Sequence, residues 1–89
     1  MSRVELNDSI KSFNKQFIEE KGDNYAVALS FWLFSREHFE NLGKFTEDVE
    51  KVFDRFLDDV LDPLWYKNRQ VKYDVCIELY ELIRKELTL

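Results

Sequence analysis

Residues 46–63 place the strongest constraint on the fold of this chain, because apolar residues recur there at intervals of three and four. These residues are Val49, Val52, Phe53, Phe56, Leu57, Val60 and Leu61. This spacing predicts an amphipathic helix whose wide apolar stripe must be buried against other elements. Thr46 is suited to cap its start. Pro63 predicts its end, because the residue before a proline is disfavoured in helical conformation.

The opposite face of this predicted helix is acidic. Four acids follow one another at intervals of four residues and form what we call the acidic ridge: Glu50, Asp54, Asp58 and Asp62. Like charges at this spacing destabilise an isolated helix by roughly 0.2–0.5 kcal/mol per pair. The segment holds seven of the 18 acids and two of the 13 bases, which leaves 11 of each elsewhere. The whole formal charge of −5 therefore lies in this segment.

Length and composition indicate a single globular domain over residues 1–89. A chain of this size has room for one core, and 45% hydrophobic residues are enough to form it. Aromatic residues are abundant, with eight Phe, four Tyr and two Trp. Large rings supply the buried area that a small domain needs, and this is one interpretation of their number. The other interpretation is that some of them form a recognition surface.

The sequence also suggests a compartment. A single cysteine, Cys76, cannot form an internal disulfide, which fits a reducing environment. Residues 1–20 contain no continuous apolar run typical of a secretory signal. The longest apolar run, residues 25–34, is shorter than the roughly 20 residues that span a bilayer. We therefore expect a cytoplasmic protein that binds neither a membrane nor nucleic acid directly, because its charge is negative.

Helical periodicity and stop signals predict two helices before residue 46. The first covers residues 3–21, with Ser2 and Glu5 as a capping box and Gly22 as a left-handed stop. The second covers residues 25–42, with Asp23 or Asn24 as its cap and Gly43 as its stop.

The last third of the chain leaves two interpretations open. Helical spacing predicts a final helix that includes Val75 to Leu87. Its start is left open: the helix begins at residue 64, or residues 64–66 form a bend and it begins near residue 69. The result is an all-α fold, a small antiparallel bundle of three or four helices. The alternative rests on alternation of apolar and polar residues over 70–79, which is typical of a strand. Paired with residues 25–34, that strand gives an α+β fold.

Residues with catalytic or ligand-binding chemistry are scarce. His38 is the single histidine, and its helical neighbours Phe34 and Leu42 offer no second metal ligand. Cys76 lies among apolar residues, where a thiol is inert. We therefore expect no catalytic set, metal site or cofactor, and a protein that is not an enzyme.

The acidic ridge is the best candidate for function. In one interpretation Lys67, Arg69 and Lys72 fold back and neutralise it within the molecule. In the other, the ridge faces a basic groove of a partner, where complementary charge speeds association. Trp65 and Tyr66 either cover the end of the bundle or act as aromatic anchors beside the ridge. The candidate partner-binding residues are Glu50, Asp54, Asp58, Asp59, Asp62, Trp65 and Tyr66.

Two stretches carry a family resemblance. Both lie in the second half of the chain, residues 53–63 (FDRFLDDVLDP) and residues 83–87 (IRKEL). This half resembles the colicin-type immunity proteins, which are small, acidic and helical and block a nuclease toxin. The resemblance implies that acids of the third helix occupy the substrate cleft of a toxin. The charge concentrated on the third helix, the lack of a catalytic set and the small size give the first hypothesis. It is a binding protein, such as an immunity protein or a phage-encoded inhibitor, that inhibits a basic enzyme acting on nucleic acid. The second is a self-associating structural or adaptor module, such as a homodimer.

Overall fold

The computed structural model describes residues 3–67 and 70–87, which form four helices. Helix α1 is α-helical over Arg3–Phe13 and continues as a π-helix over Asn14–Glu19, and α2 is Tyr25–Asn41. Helix α3 is α-helical over Glu47–Phe56, π-helical over Leu57–Leu61 and α-helical again over Asp62–Tyr66. Helix α4 is Tyr73–Leu87. The prediction of a small all-α bundle is confirmed.

The alternative α+β fold is wrong, because no strand occurs anywhere in residues 3–67 and 70–87. The run at residues 25–34 is helical. Its buried residues Phe31 and Trp32 lie three and four positions after the buried Ala28, which is the spacing of one helix face. In α4 the buried residues are Val75, Cys76, Leu79 and Ile83, at helical intervals. Helical burial therefore outweighs the alternating pattern of residues 70–79.

Helix α2 has the predicted termini. The Asn24 side chain accepts a hydrogen bond of 3.3 Å from the Val27 N–H and caps the first turn. At the other end Gly43 adopts the left-handed conformation with φ of 68°. Lys44 N–H then donates to the Phe39 carbonyl at 2.9 Å, which satisfies a free carbonyl of the last turn.

The predicted left-handed stop at Gly22 is wrong. Lys21 takes the left-handed conformation instead, with φ of 55°. The Gly22 N–H donates to the Gln16 carbonyl at 2.6 Å. A Cβ at Gly22 would lie 3.4 Å from that oxygen, which is an ordinary van der Waals distance, so this hydrogen bond does not require a glycine. The predicted capping box at Ser2 lies outside the described residues.

Helix α3 begins as predicted but does not end at Pro63. The Thr46 side chain accepts a hydrogen bond of 3.3 Å from the Val49 N–H. The helix then continues past Pro63 to Tyr66, so residues 64–66 end α3 rather than start the last helix. Proline has no N–H, which leaves the carbonyl four residues earlier, that of Asp59, without its usual donor. Lys72 N–H donates to this carbonyl at 3.3 Å, and this hydrogen bond lets the helix tolerate the proline.

The π-helical turn of α3 changes which residues face the core. Phe53, Phe56, Val60 and Leu61 are buried as predicted, but Leu57 is 37% exposed. A π-helical turn contains one residue more than an α-helical turn, so it brings Val60 and Leu61 back to the side of Phe53 and Phe56 and leaves Leu57, its first residue, at the edge of the buried face. Placing Leu57 in the buried stripe assumed an uninterrupted α-helix, and that prediction is wrong.

The core is aromatic, so most rings serve burial. Phe13 stacks on Phe31 at 4.1 Å and on Phe17 at 4.9 Å between ring centroids, and Phe56 lies at 5.7 Å from Phe13. These four rings are fully buried and join α1, α2 and α3. A second group surrounds Phe53 and contains Trp32, Phe39 and Phe45. The interior is thus close-packed by rings, each of which removes roughly 150–250 Å² from water.

Candidate functional site

The acidic ridge lies on the outer side of α3, opposite the buried phenylalanines. Glu50, Asp54 and Asp58 are exposed, and Asp62 is half-buried. Burial of Phe53 and Phe56 fixes the rotation of the helix and thereby keeps these carboxylates at the surface. Their side chains make no ion pair or hydrogen bond to any described residue.

Arg55, one of the two bases of α3, does not neutralise the ridge. Arg55 reaches α4, where its Nη1 lies 3.0 Å from Glu78 Oε1 and 3.2 Å from Glu78 Oε2. Both side chains are more than two-fifths exposed, so the pair contributes at most about 1 kcal/mol. The pair joins α3 to α4 and cancels the charge of an acid outside residues 46–63. Arg55 therefore forms its ion pair with an acid of α4 and not with the ridge.

Of the three bases proposed to neutralise the ridge, Lys72 is the one seen near an acid of α3. Its Nζ lies 3.8 Å from Asp59 Oδ1, and its N–H donates to the Asp59 carbonyl. Asp59 adjoins the ridge but is not one of its four members, and its side chain is 25% exposed. Within residues 3–67 and 70–87 Lys67 forms no ion pair, and Arg69 lies outside the described residues. Lys72 therefore pairs with one acid beside the ridge, and the four ridge acids keep their charge unpaired.

Trp65 and Tyr66 extend the ridge with aromatic surface. They are 64% and 65% exposed, so they do not cover the end of the bundle. The Trp65 ring contacts Tyr25 of α2, with ring centroids 5.2 Å apart. Lys67 then ends the helix in the left-handed conformation, with φ of 57° and its N–H donating to the Pro63 carbonyl at 2.8 Å. An indole and a phenol thus lie at the surface three and four residues after the last ridge acid.

Two apolar residues near this surface were missed by sequence reasoning. Leu57 of α3 is 37% exposed, and Ile77 of α4 is 42% exposed. Ile77 directly precedes Glu78, the residue that pairs with Arg55. The exposure of Ile77 could be predicted from the sequence, because Ile77 lies two positions from Val75 and from Leu79 and so off their helix face. The exposure of Leu57 could not, since it depends on the π-helical turn.

The residues considered for chemistry have structural surroundings. His38 is half-buried and contacts the ring of Phe39 at 6.2 Å between centroids. Burial raises the pKa of the Cys76 thiol to about 12, and the charge of Asp74 adds to the effect. The described part of the chain contains no cluster of three His, Cys, Asp or Glu side chains that could hold a metal ion.

None of the described helices is both long enough and apolar enough to cross a membrane. Comparison with known proteins finds no matching family model, curated protein or solved structure. The acidic ridge and the aromatic residues beside it are therefore a candidate site on the basis of the structure alone.

Proposed function

We propose that this protein binds a basic protein partner through α3 and inhibits it, with a nucleic-acid-processing enzyme as the target. The observation that carries the proposal is the acidic ridge, whose four carboxylates form no ion pair with any residue in the described part of the chain. Residues four apart in an α-helix are about 6 Å apart along its axis, so the exposed acids Glu50, Asp54 and Asp58 make a row of negative charges, and Asp62 follows after the π-helical turn. A groove that binds a phosphate backbone offers the matching row of positive charges.

The exposed aromatics support a protein interface. Trp65 and Tyr66 present large rings at the surface, and tryptophan and tyrosine are enriched among the residues that dominate binding energy. Charged residues at the rim then raise the association rate, while the rings supply buried area. The resemblance to colicin-type immunity proteins agrees with such a target, and it remains a prediction.

Affinity capture from the native host tests the proposal when three baits are compared. One is the native protein, and another carries Asp54→Asn, Asp58→Asn and Asp62→Asn. The matched control carries Glu19→Gln, Glu20→Gln and Glu81→Gln, three exposed acids away from the ridge that change the net charge equally. We expect a basic protein to be captured by the native and control baits and lost from the ridge variant. Equal capture by the ridge and control variants would contradict the proposal.

A catalytic assay completes this test. If the captured protein cleaves or modifies nucleic acid, the native chain should abolish that activity at stoichiometric concentration. The ridge variant should need a concentration at least about 100-fold higher, because several charge pairs at an interface are lost together.

The second candidate function is self-association. It is favoured by the exposed apolar residues Leu57, Trp65, Tyr66 and Ile77 on α3 and α4. Sedimentation separates it from the first proposal: a dimer at micromolar concentration that Trp65→Ala dissociates supports it. A monomer at all concentrations would contradict it.

A further inference from the structure

The side chain of Tyr73, the first residue of α4, holds the turn between α1 and the cap of α2, residues 20–23. Its hydroxyl lies 3.1 Å from the Lys21 carbonyl oxygen and 3.0 Å from Asp23 Oδ1. The Lys21 ammonium lies 4.6 Å from the centroid of the Tyr73 ring, which is a cation–π distance. Tyr73 therefore joins this turn to α4 through both its hydroxyl and its ring.

These contacts secure the turn only weakly. A phenol has a single proton, so the two acceptors share one donor. Lys21 adopts the left-handed conformation with φ of 55°, which is unfavourable for a residue with a Cβ. Lys21 and Asp23 are exposed, so water can replace their contacts with Tyr73. Because segments held by exposed hydrogen bonds open at a lower free energy than the whole fold, we expect this turn to open before the bundle unfolds.

Cys76 lies behind this turn. It is fully buried and follows Tyr73 by three residues in α4, so the two side chains lie on the same side of the helix. Burial and then the charge of Asp74 are the main causes of the raised pKa of the Cys76 thiol, and the charges of Asp23 and Lys21 also affect this pKa. Both residues of the turn therefore lie near the sulfur as well as near the Tyr73 ring.

The helices on either side limit how far the turn opens. Asn24 caps α2 through the Val27 N–H, and the π-helical end of α1 stops at Glu19. Opening between these two points leaves the helices and the aromatic core in place. We propose that residues 20–23 and Tyr73 form a lid that opens locally and gives small disulfides access to the buried Cys76 thiol. The acidic ridge takes no part in this lid, so the inference is independent of the function proposed above.

The reaction of Cys76 with excess dithiobis(nitrobenzoic acid) at about pH 8 measures the opening of the lid. The Cys76 thiolate attacks the reagent, a mixed disulfide forms, and the coloured nitrobenzoate thiolate leaves. The reaction rate divided by the rate of the urea-unfolded chain gives the fraction of molecules in which the thiol is accessible. We expect this fraction to exceed the unfolded fraction, obtained from urea denaturation, by at least about tenfold.

Variants of the two contacting residues identify the lid. Tyr73→Phe removes both hydroxyl contacts and should raise the reaction rate about fivefold. Asp23→Ala, at an exposed residue that is not needed for folding, should raise it about threefold. Adding Asp23→Ala to Tyr73→Phe should change the rate by less than about twofold, because the hydroxyl that donates to Asp23 is already absent.

Two controls separate the lid from global unfolding. Tyr80→Phe removes the hydroxyl of another half-buried tyrosine of α4 and should leave the rate at the native value. Ile83→Val removes a methyl group from a fully buried residue of α4, which lowers global stability, and should still leave the rate within about twofold of the native value. The proposal is overturned if the accessible fraction equals the unfolded fraction, or if Ile83→Val raises the rate as much as Tyr73→Phe does.

Discussion

The indole Nε1 of Trp32 donates a hydrogen bond of 3.0 Å to the carbonyl oxygen of Phe53. Trp32 is 9% exposed, so this bond joins α2 to α3 inside the bundle. The same carbonyl accepts from the Leu57 N–H, four residues further along α3. The π-helical turn begins at Leu57, so a side chain from α2 engages the helix one turn before its hydrogen-bonding pattern changes.

Trp32→Phe tests the contribution of this contact to stability. We expect the free energy of unfolding to fall by about 1–3 kcal/mol, because a buried hydrogen bond and part of a buried ring are lost. Urea denaturation followed by circular dichroism measures it. Trp65→Phe is the matched control, and since Trp65 is 64% exposed we expect a change within about 0.5 kcal/mol. Equal effects of the two substitutions would show that the buried indole is not an anchor.

Pro63→Ala tests why α3 passes through a proline. Alanine restores an N–H four residues after Asp59, and this donor competes with Lys72 for the Asp59 carbonyl. We expect amide hydrogen exchange to become faster at Lys72, whose N–H donates to that carbonyl at 3.3 Å. The Val75 amide, which bonds to the Lys72 carbonyl at 3.2 Å, serves as the control and should keep its protection. If the Lys72 amide keeps its protection, the new N–H at residue 63 does not replace Lys72 as the donor to the Asp59 carbonyl, and the prediction is wrong.

Ser35→Ala tests the cost of a buried hydroxyl in the core. Ser35 is fully buried, and its Oγ has no hydrogen-bond partner among the described residues. Removing that oxygen should raise the free energy of unfolding by about 1 kcal/mol, because an unsatisfied polar group leaves the core. Ser30→Ala, at an exposed position of the same helix, reports the helix propensity of alanine alone. The prediction fails if Ser35→Ala gains no more stability than Ser30→Ala, or loses stability.

The Cys76 thiol should make stability depend on alkaline pH. Burial raises its pKa from 9.0 to about 12, so the thiol stays protonated in the folded chain while it ionises in the unfolded chain. The stability that it contributes is fully present below pH 9.0 and is lost as the pH rises toward 12. Between pH values of about 8.5 and 10.5, the native protein should lose stability more steeply than Cys76→Ala, by up to about 1.4 kcal/mol per pH unit. Urea denaturation across that range measures the difference, and parallel curves would contradict the account.

Periodicity predicted the helices because burial of one apolar face dominates each of them. The caps at Asn24 and Thr46 were also predictable, because each is a local interaction within a few residues. The continuation past Pro63 was not, since it depends on a hydrogen bond from Lys72, nine residues further along the chain. The exposure of Leu57 escaped prediction for a similar reason, because the π-helical turn lies where α3 meets the rest of the bundle.

The candidate site was predictable in part. The ridge acids are placed by helical geometry, and Asp54 and Asp58 are exposed as expected. The partners of the bases were not predictable, because Arg55 pairs with Glu78 of α4, 23 residues away in sequence. Side-chain pairing between helices depends on their relative rotation, which local spacing does not determine.

The most direct measurement for the proposed binding face is the stability of the triple variant Asp54→Asn, Asp58→Asn and Asp62→Asn at low and high salt. The carboxylates repel one another and have no described partner, so the variant should be at least as stable as the native protein at low salt. The difference should shrink at high salt, because salt screens repulsion between exposed charges. Asp59→Asn, which removes the partner of Lys72, is the control and should not gain stability. A loss of more than about 2 kcal/mol in the triple variant would contradict the account, because the ridge would then stabilise the fold and would not be free to bind a partner.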